Sequence, residues 1–377
     1  MKYCPKCLQP DTRPNTEFTD TGICPACSYH AEHSKIDWAE RRDILLALAD
    51  HYRNPSAQYD CIIGVSGGKD STRQALWVRD YLKLRPLLVC LSYPPEQITD
   101  KGVKNLSNLV ELGFDLIQSC PAPITWQKLM RAAFDNFANW AKATELALFS
   151  AVPQLAIQYK IPLILWGENP GLQLGDMATL GPTGYDGNNL RHMNTLAGGS
   201  NDWMREAGFS PRELIPYTYP TVEEFAENDI QIVYLGWFLG DWSLLNNGMV
   251  SSLNGLHMRD DEPQNTGDLY GVSSLDEDWV TLNQMIKYYK FGFGRATDYA
   301  NELIRMGVIT RERGIVLVEK YDGVCSEKYI SDFCQFIDIS TADFWTKVRS
   351  VTNAELFDLT STNAIKPRFT VGEDFLH

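Results

Sequence analysis

The sequence predicts an α/β fold with a doubly wound, mainly parallel sheet, and three observations predict it. Short apolar runs of strand length alternate with amphipathic helical stretches from residue 59 to residue 166. A glycine-rich turn at 64–68 separates the first such run from the first following helix. From about residue 279 onward the pattern is helical. Strands that alternate with helices pair as parallel neighbours with helices on both faces of the sheet. Ligands of such sheets bind at the carboxyl ends of the strands.

Taken in order, residues 1–33 are rich in Pro, Thr and Cys and show neither a helical nor a strand period. Trp38, Ile44, Leu45 and Leu48 then recur at helical spacing after Asp37, a good N-cap, which predicts a helix over 37–53. Strands are predicted at 59–65, 86–93, 114–119, 161–166 and 230–235, and helices at 70–84, 99–112, 125–141 and 144–160. The stretch 167–229 carries many Gly, Asn and Pro residues and little periodicity. It is too long for a passive connection and reads as a site-forming insertion. Further helices are predicted at 279–291, 295–306, 326–335 and 341–350. The expected division is a small cysteine-rich unit at 1–33, an α/β domain at 34–240 that carries the insertion, and a mostly helical region at 241–377.

Apolar residues make up 44% of the 377, enough for a large core, and 43 aromatics spread along the chain exclude a disordered acidic tail. The longest apolar runs fall short of the ~20 residues of a membrane span. The opening Met1-Lys2-Tyr3-Cys4-Pro5 has no apolar signal core, so a cytoplasmic protein is expected. A formal charge of −14 argues against a protein that grips nucleic-acid backbones. That charge is uneven. Residues 210–286 hold thirteen acids and two bases, so a site for anionic ligands must draw on cations elsewhere, around Lys69 and 287–295.

Four of nine cysteines form two close pairs, Cys4-x2-Cys7 and Cys24-x2-Cys27, sixteen residues apart. In a chain expected to be cytosolic this spacing reads as metal ligation, a four-thiolate zinc ribbon. Four thiolates leave no open position, so the metal is expected to be structural. Spacing alone admits iron as well as zinc. The remaining cysteines, Cys61, Cys90, Cys120, Cys325 and Cys334, form no close pair.

The turn after the first strand reads Gly64-Val65-Ser66-Gly67-Gly68-Lys69-Asp70-Ser71. Backbone N–H groups and the positive end of the next helix can face an anion there. Gly67 and Gly68 permit close approach, Lys69 adds a point charge, and Ser66 and Ser71 offer hydroxyls. The sequence departs from the Walker pattern, and Asp70 in place of its Ser or Thr suits a magnesium ion. Ser66 to Ser71, SGGKDS, resembles the PP-loop of ATP pyrophosphatases such as GMP synthetase, asparagine synthetase and tRNA thiolases. The resemblance implies ATP cleavage between the α- and β-phosphates, with AMP transferred to a substrate oxygen.

Two further stretches, Trp166-Gly167-Glu168-Asn169 and Lys290-Phe291-Gly292-Phe293-Gly294-Arg295-Ala296-Thr297-Asp298, join the cysteine pairs and the loop. Together they resemble the N-acetyl sugar amidotransferases of bacterial surface-polysaccharide and flagellar-sugar pathways, over roughly residues 1–350. The resemblance implies conversion of an acetamido group to an acetamidino group on a free or UDP-linked sugar, with ATP as co-substrate and magnesium and zinc as metals. An amide oxygen is a poor leaving group, so adenylation must precede attack by ammonia. On that reading the catalytic residues are Lys69, Asp70, Glu168, Lys290 and Arg295, with Lys287 and Asp298 as weaker candidates. ATP would lie against Gly64, Ser66, Gly67, Gly68, Lys69, Asp70, Ser71, Leu91, Ser92 and Gly167. Trp203, Arg191, His192 and Arg205 are candidate sugar contacts within the insertion, whereas His192 and His257 read mainly as structural. No glutaminase nucleophile is recognisable, so ammonia is expected from solution or from a separate subunit, and the resemblance implies glutaminase and barrel subunits similar to imidazole glycerol phosphate synthase. A PP-loop enzyme that transfers sulfur to tRNA is the rival reading, and a second cysteine cluster would be its mark.

Overall fold

The computed structural model describes residues 1–377 except 174, 176–180, 182, 194–195, 362–363 and 376–377. Five short strands form one sheet: β1 (Cys61–Gly64), β2 (Pro86–Leu91), β3 (Leu116–Ser119), β4 (Leu163–Trp166) and β5 (Gln231–Tyr234). Their order is β3-β2-β1-β4-β5 and all four pairings are parallel, as the alternation predicts. The chain winds outward from β1 through β2 to β3, then crosses to the other side for β4 and β5. The order therefore reverses between β1 and β4, and a crevice must open above their carboxyl ends.

The strands are apolar on both faces because both are covered. Ile62, Leu87, Val89, Ile164 and Ile232 enter the core with α5 (Pro123–Phe137) and α6 (Ala141–Tyr159). Their neighbours Cys61, Ile63, Leu88, Cys90, Leu163 and Leu165 point the other way. There they meet α2 (Trp38–Tyr52), α3 (Lys69–Asp80) and α4 (Asp100–Glu111). This two-residue period sorts one strand into two cores. Each fully buried aliphatic side chain contributes about 1.5–3 kcal/mol relative to exposure. Asp37 caps α2 as expected, its carboxylate accepting from the N–H groups of Ala39 and Glu40.

The insertion covers an edge. Residues 185–187 lie against β5, with Tyr234 N–H donating to Tyr185 O and Gly187 N–H to Ile232 O. An otherwise open sheet edge is thereby closed. The insertion also carries the short helices α7 (Pro170–Gln173), α8 (Asp202–Glu206) and α9 (Val222–Glu227).

Beyond the sheet follow α10 (Leu244–Leu253), α11 (Pro263–Thr266), α12 (Val280–Phe291), α13 (Arg295–Arg305), α14 (Arg311–Tyr321), α15 (Glu327–Phe336) and α16 (Thr341–Val351). The chain closes with a small hairpin, β6 (Phe357–Asp358) and β7 (Lys366–Pro367).

Besides the short helices α7, α8, α9 and α11, three helices of eight residues or more escape the sequence pattern. Residues 25–32 form α1 (Pro25–Glu32), although 1–33 shows no period, because Cys24 acts as its N-cap and only Ala26 and Cys27 are buried. The α10 sequence is poor in helix formers, with two Asn, a Gly and two Ser, and the reason lies in the site below. In α14, Gly314 breaks the pattern because a Cβ there would lie 2.8 Å from Ile304 and 3.0 Å from Leu8. Among the described residues no helix is long and apolar enough to cross a membrane.

Candidate active site

The expected loop sits at the carboxyl end of β1, and α3 starts directly after it at Lys69. Gly67 has φ +75°, and a Cβ there would stand 2.9 Å from Asn105 of α4. Only glycine adopts this backbone so close to a neighbour without strain. Gly68 occupies the N-cap position and no side chain caps the helix. The first amides of α3 are thus left for an anion to fill.

Above the loop is a cavity of about 230 Å³. Ser66, Gly68, Lys69, Asp70 and Ser71 form its polar end, with Gly64 beside them. Val89 and Leu91 of β2, with Leu148, Phe149 and Val152 of α6, form an apolar wall. Trp166, Gly167 and Glu168 enter from the end of β4, and 272–276 close the far side. A polar anion cradle beside an apolar slab suits a nucleotide, phosphates at one end and base at the other.

Lys69 Nζ lies 2.7 Å from Asp70 Oδ2. The other oxygen of Asp70 accepts from Asn247 of α10, whose own oxygen accepts from Arg73. Ser251 Oγ donates to the backbone oxygen of Lys69 at 2.6 Å. Two of the polar residues that weaken α10 as a helix, Asn247 and Ser251, therefore hold the loop. Arg73, Asn247 and Ser251 carry no recognisable motif, which is why sequence reasoning missed them.

Glu168 hangs from the end of β4, open to the cavity but walled by protein. Burial pushes its carboxyl up to about 7, the Asp70 charge adds to the rise, and Lys69 opposes it. Asp276 lines the opposite wall, and burial raises it to about 6. Its loop is rigid. The Asp268 carboxylate accepts from the N–H groups of Tyr270, Gly271 and Ser273. Arg259 donates to Ser274 O and Glu277 O and pairs with Asp278 at 2.7 Å.

The remaining expected residues divide. Leu91 and Gly167 line the cavity, and a Cβ on Gly167 would meet Gln74 at 2.5 Å. Gly67 stands behind the cradle and shapes it. Ser92 does not line the cavity, since it extends the ladder by donating its N–H to Ser119 O. Arg295 is buried one layer out and reaches the cavity wall by donating to Ser274 Oγ at 2.9 Å. Its Nη1 has no hydrogen-bond partner among the described residues.

Lys290 and Lys287 are not at the loop. They line a second cavity, of about 340 Å³, with Arg13, Glu145, Asn283 and Gln284. Lys290 Nζ donates to Phe137 O and Ala138 O at the end of α5, at 2.7 and 3.2 Å. Burial, and then Lys347, push its pKa down to about 8. Asp298 does not cap a helix, since Gly294 precedes α13. It is half-buried between Arg13 and Lys287, and although desolvation opposes ionisation the two cations hold it at about 2.

The insertion residues lie elsewhere. Trp203 packs edge-on against Phe137, and Arg205 donates to Asn201. Arg191 is buried, donates to Pro220 O and stacks over Tyr219 and Phe225. His192 lines a cavity of about 930 Å³ beside Asp60, Pro162 and Gln231. Those three precede or begin their strands, so that cavity opens at the amino end of the sheet, opposite the loop. His257 serves by its backbone, donating its N–H to Asn105 Oδ1.

The four N-terminal cysteines converge. Their sulfurs lie within 4.8 Å of one another and all four are buried. Cys7 and Cys24 stand 3.7 Å apart, and a tetrahedral site with ~2.3 Å metal–sulfur bonds has edges of roughly 3.8 Å. The donor set therefore fits one metal ion bound by four thiolates. Hydrogen bonds from Cys24, Cys27 and Cys7 pull the Cys4 thiol far below its ordinary range, so deprotonation is favoured there. Cys61 and Cys90 are buried in the sheet and Cys334 in α15, while Cys120 is exposed after β3. Among the described residues no second group of three or more metal-binding side chains occurs.

No curated protein matches the sequence. Among solved structures, the U34-tRNA thiolase NcsA from Methanococcus maripaludis with its [4Fe-4S] cluster is similar at 15% identity and a TM-score of 0.30. That alignment covers 89% of this chain and 95% of the thiolase. Residues 269–368 match the family model of the LPS biosynthesis protein WbpG-like C-terminal domain, the segment that closes the loop cavity at 272–276 and supplies α12.

Proposed function

We propose that this protein is an ATP-dependent, AMP-forming amidotransferase that converts an acetamido group of a free or UDP-linked N-acetyl sugar to an acetamidino group. The product would serve bacterial O-antigen, LPS or related glycan synthesis. The observation that carries this reading is a single cavity. It joins the uncapped start of α3, Lys69 and Asp70 to Glu168, and its far wall belongs to a segment similar to an LPS biosynthesis domain.

The amide oxygen attacks the α-phosphorus of ATP, the bond to the β-phosphate oxygen breaks, and pyrophosphate departs. The amides of α3 and the Lys69 ammonium hold the negative charge that gathers on the leaving group. Ammonia then adds to the activated carbon and gives up a proton, and AMP leaves with the former amide oxygen. Glu168, with its pKa near 7, takes that proton. Asp70, backed by Asn247, would hold magnesium, which neutralises phosphate charge when bound. Cys4, Cys7, Cys24 and Cys27 would hold structural zinc. Ammonia would arrive from glutaminase and barrel subunits.

The test is incubation with ATP, magnesium, ammonium and a panel of N-acetyl sugars, with and without UDP. The expected products are AMP, pyrophosphate and a sugar in which one amide oxygen has become NH. ADP as product overturns the adenylation mechanism. Iron in the purified protein in place of zinc overturns the zinc assignment.

A further inference from the structure

The second cavity belongs to no step described so far, yet it abuts the first. Both lie on one face of α6: Glu145 lines the second, and Leu148 and Phe149, one turn on, line the first. Four residues of α-helix span about 6 Å, so the two spaces adjoin along this helix. The Glu145 charge also contributes to the raised pKa of Glu168.

The chemistry of its wall is specific. Asn283, Gln284, Lys287 and Lys290 recur at three- and four-residue spacing on α12, so they form one face of that helix. The side-chain oxygens of Asn283 and Gln284 are buried and have no hydrogen-bond partner among the described residues. Such orphans are costly unless a ligand or water satisfies them. Lys287 uses one of its three N–H donors, on Asp298, and Arg13 closes the cavity from the N-terminal unit. At about 340 Å³ the space falls within the ~300–1,000 Å³ of small-molecule sites.

We propose that this α12 cavity is the acceptor subsite and that it selects an N-acetyl sugar carrying a negative charge. The amide oxygens of Asn283 and Gln284 accept from sugar hydroxyl or amide N–H groups, and Lys287 and Lys290 pair with a phosphate or carboxylate. The acetamido group then points along α6 toward Glu168 and the loop. This assignment rests on the amidotransferase reading, which names the acceptor as an N-acetyl sugar.

The test is calorimetric titration of the purified full chain, without ATP, by four probes. They are UDP-N-acetylglucosamine, N-acetylglucosamine 1-phosphate, N-acetylglucosaminuronic acid and uncharged N-acetylglucosamine. The inference expects a charged probe to bind at least tenfold more tightly than the uncharged sugar. The first two against the third separate a phosphate from a carboxylate as the charge recognised. Lys287→Met, Lys290→Met and Gln284→Ala should each weaken that binding by about tenfold, with Lys290→Arg restoring it, while ATP titration changes less than twofold. Gln284→Ala removes no charge or ion pair, and so keeps the test sound if a lysine variant fails to fold. Unchanged binding in Gln284→Ala and the lysine variants overturns the assignment, as does no binding of any charged probe at millimolar concentration. Competition between the charged sugar and ATP for the loop cavity overturns it too. Because no turnover is read, AMP formation with unaltered variant binding sinks the subsite and leaves the reaction. The binding pattern without AMP formation does the reverse.

Discussion

The two adjoining cavities are built by opposite means. The loop cavity uses backbone: amides at the start of α3, glycines that admit close approach, and the carboxyl ends of β1 and β4. The α12 cavity uses long side chains gathered from Arg13, Glu145 and 283–290, segments far apart in the chain. A backbone cradle tolerates little change but recognises any anion of the right shape. A side-chain cavity can be retuned one residue at a time, which is the property the proposed acceptor subsite requires.

This contrast can be broken most forcefully at the loop. Gly67→Ala places a Cβ 2.9 Å from Asn105 at a positive φ, and Lys69→Ala removes the cradle's point charge. Each should cut pyrophosphate release by about 10²–10³-fold, the scale of lost transition-state charge stabilisation. Charged-sugar binding should persist in both. Parallel loss of sugar binding would show that the cavities are one site.

Glu168→Gln should cost about 10²-fold in product formation, the lower end of what a positioned base contributes. A base whose pKa is about 7 is ionised above that value, so the wild-type rate should rise with pH through about 7. The variant should lack this limb. A rate limb that survives in Glu168→Gln assigns the proton transfer to another group.

Cys24→Ser should act on the α12 cavity before the loop cavity. Cys24 is both a member of the four-thiol cluster and the N-cap of α1, and the N-terminal unit places Arg13 against Phe293 and Asp298. The expected result is faster proteolysis of residues 1–33 and weaker charged-sugar binding, with ATP binding retained. Stripping the metal with a chelator should reproduce the pattern.

The smallest effect concerns the junction of the two cavities. Glu277 accepts from the N–H groups of Trp279 and Val280 at the start of α12, and burial, then Asp276, push its carboxyl up to about 8. The folded state holds this proton more tightly than the unfolded chain, whose value is about 4.5. The stability it contributes is complete below about 4.5 and is lost as pH rises through about 8. The thermal midpoint should therefore fall between about pH 5 and pH 8. Glu277→Gln should flatten part of that slope, and an unchanged slope would assign it to other groups.

Legibility in the sequence followed the same division. Four parallel pairings, both helical layers and the Asp37 cap follow from period and composition, because a strand covered on both faces must be apolar throughout. The loop and the cysteine cluster were readable because their ligands are close in sequence. Lys290 and Arg295 were not, since being five residues apart says nothing of where two helices point. One reaches the end of α5, and the other stands behind Ser274. Helix α10 was hidden because Asn247 and Ser251 are chosen to hold Asp70 and Lys69 at the expense of helix propensity.

The sequence by itself thus determined the doubly wound class, the glycine-rich loop before α3 and the cysteine cluster, because local spacing encodes backbone geometry and ligand sets. Only the tertiary structure decided that Glu168 meets the loop, that 272–276 close it, and that Arg13 joins α12 in a second cavity. Those meetings depend on the reversal of strand order between β1 and β4 and on helix packing, and neither is written in any single stretch of the chain.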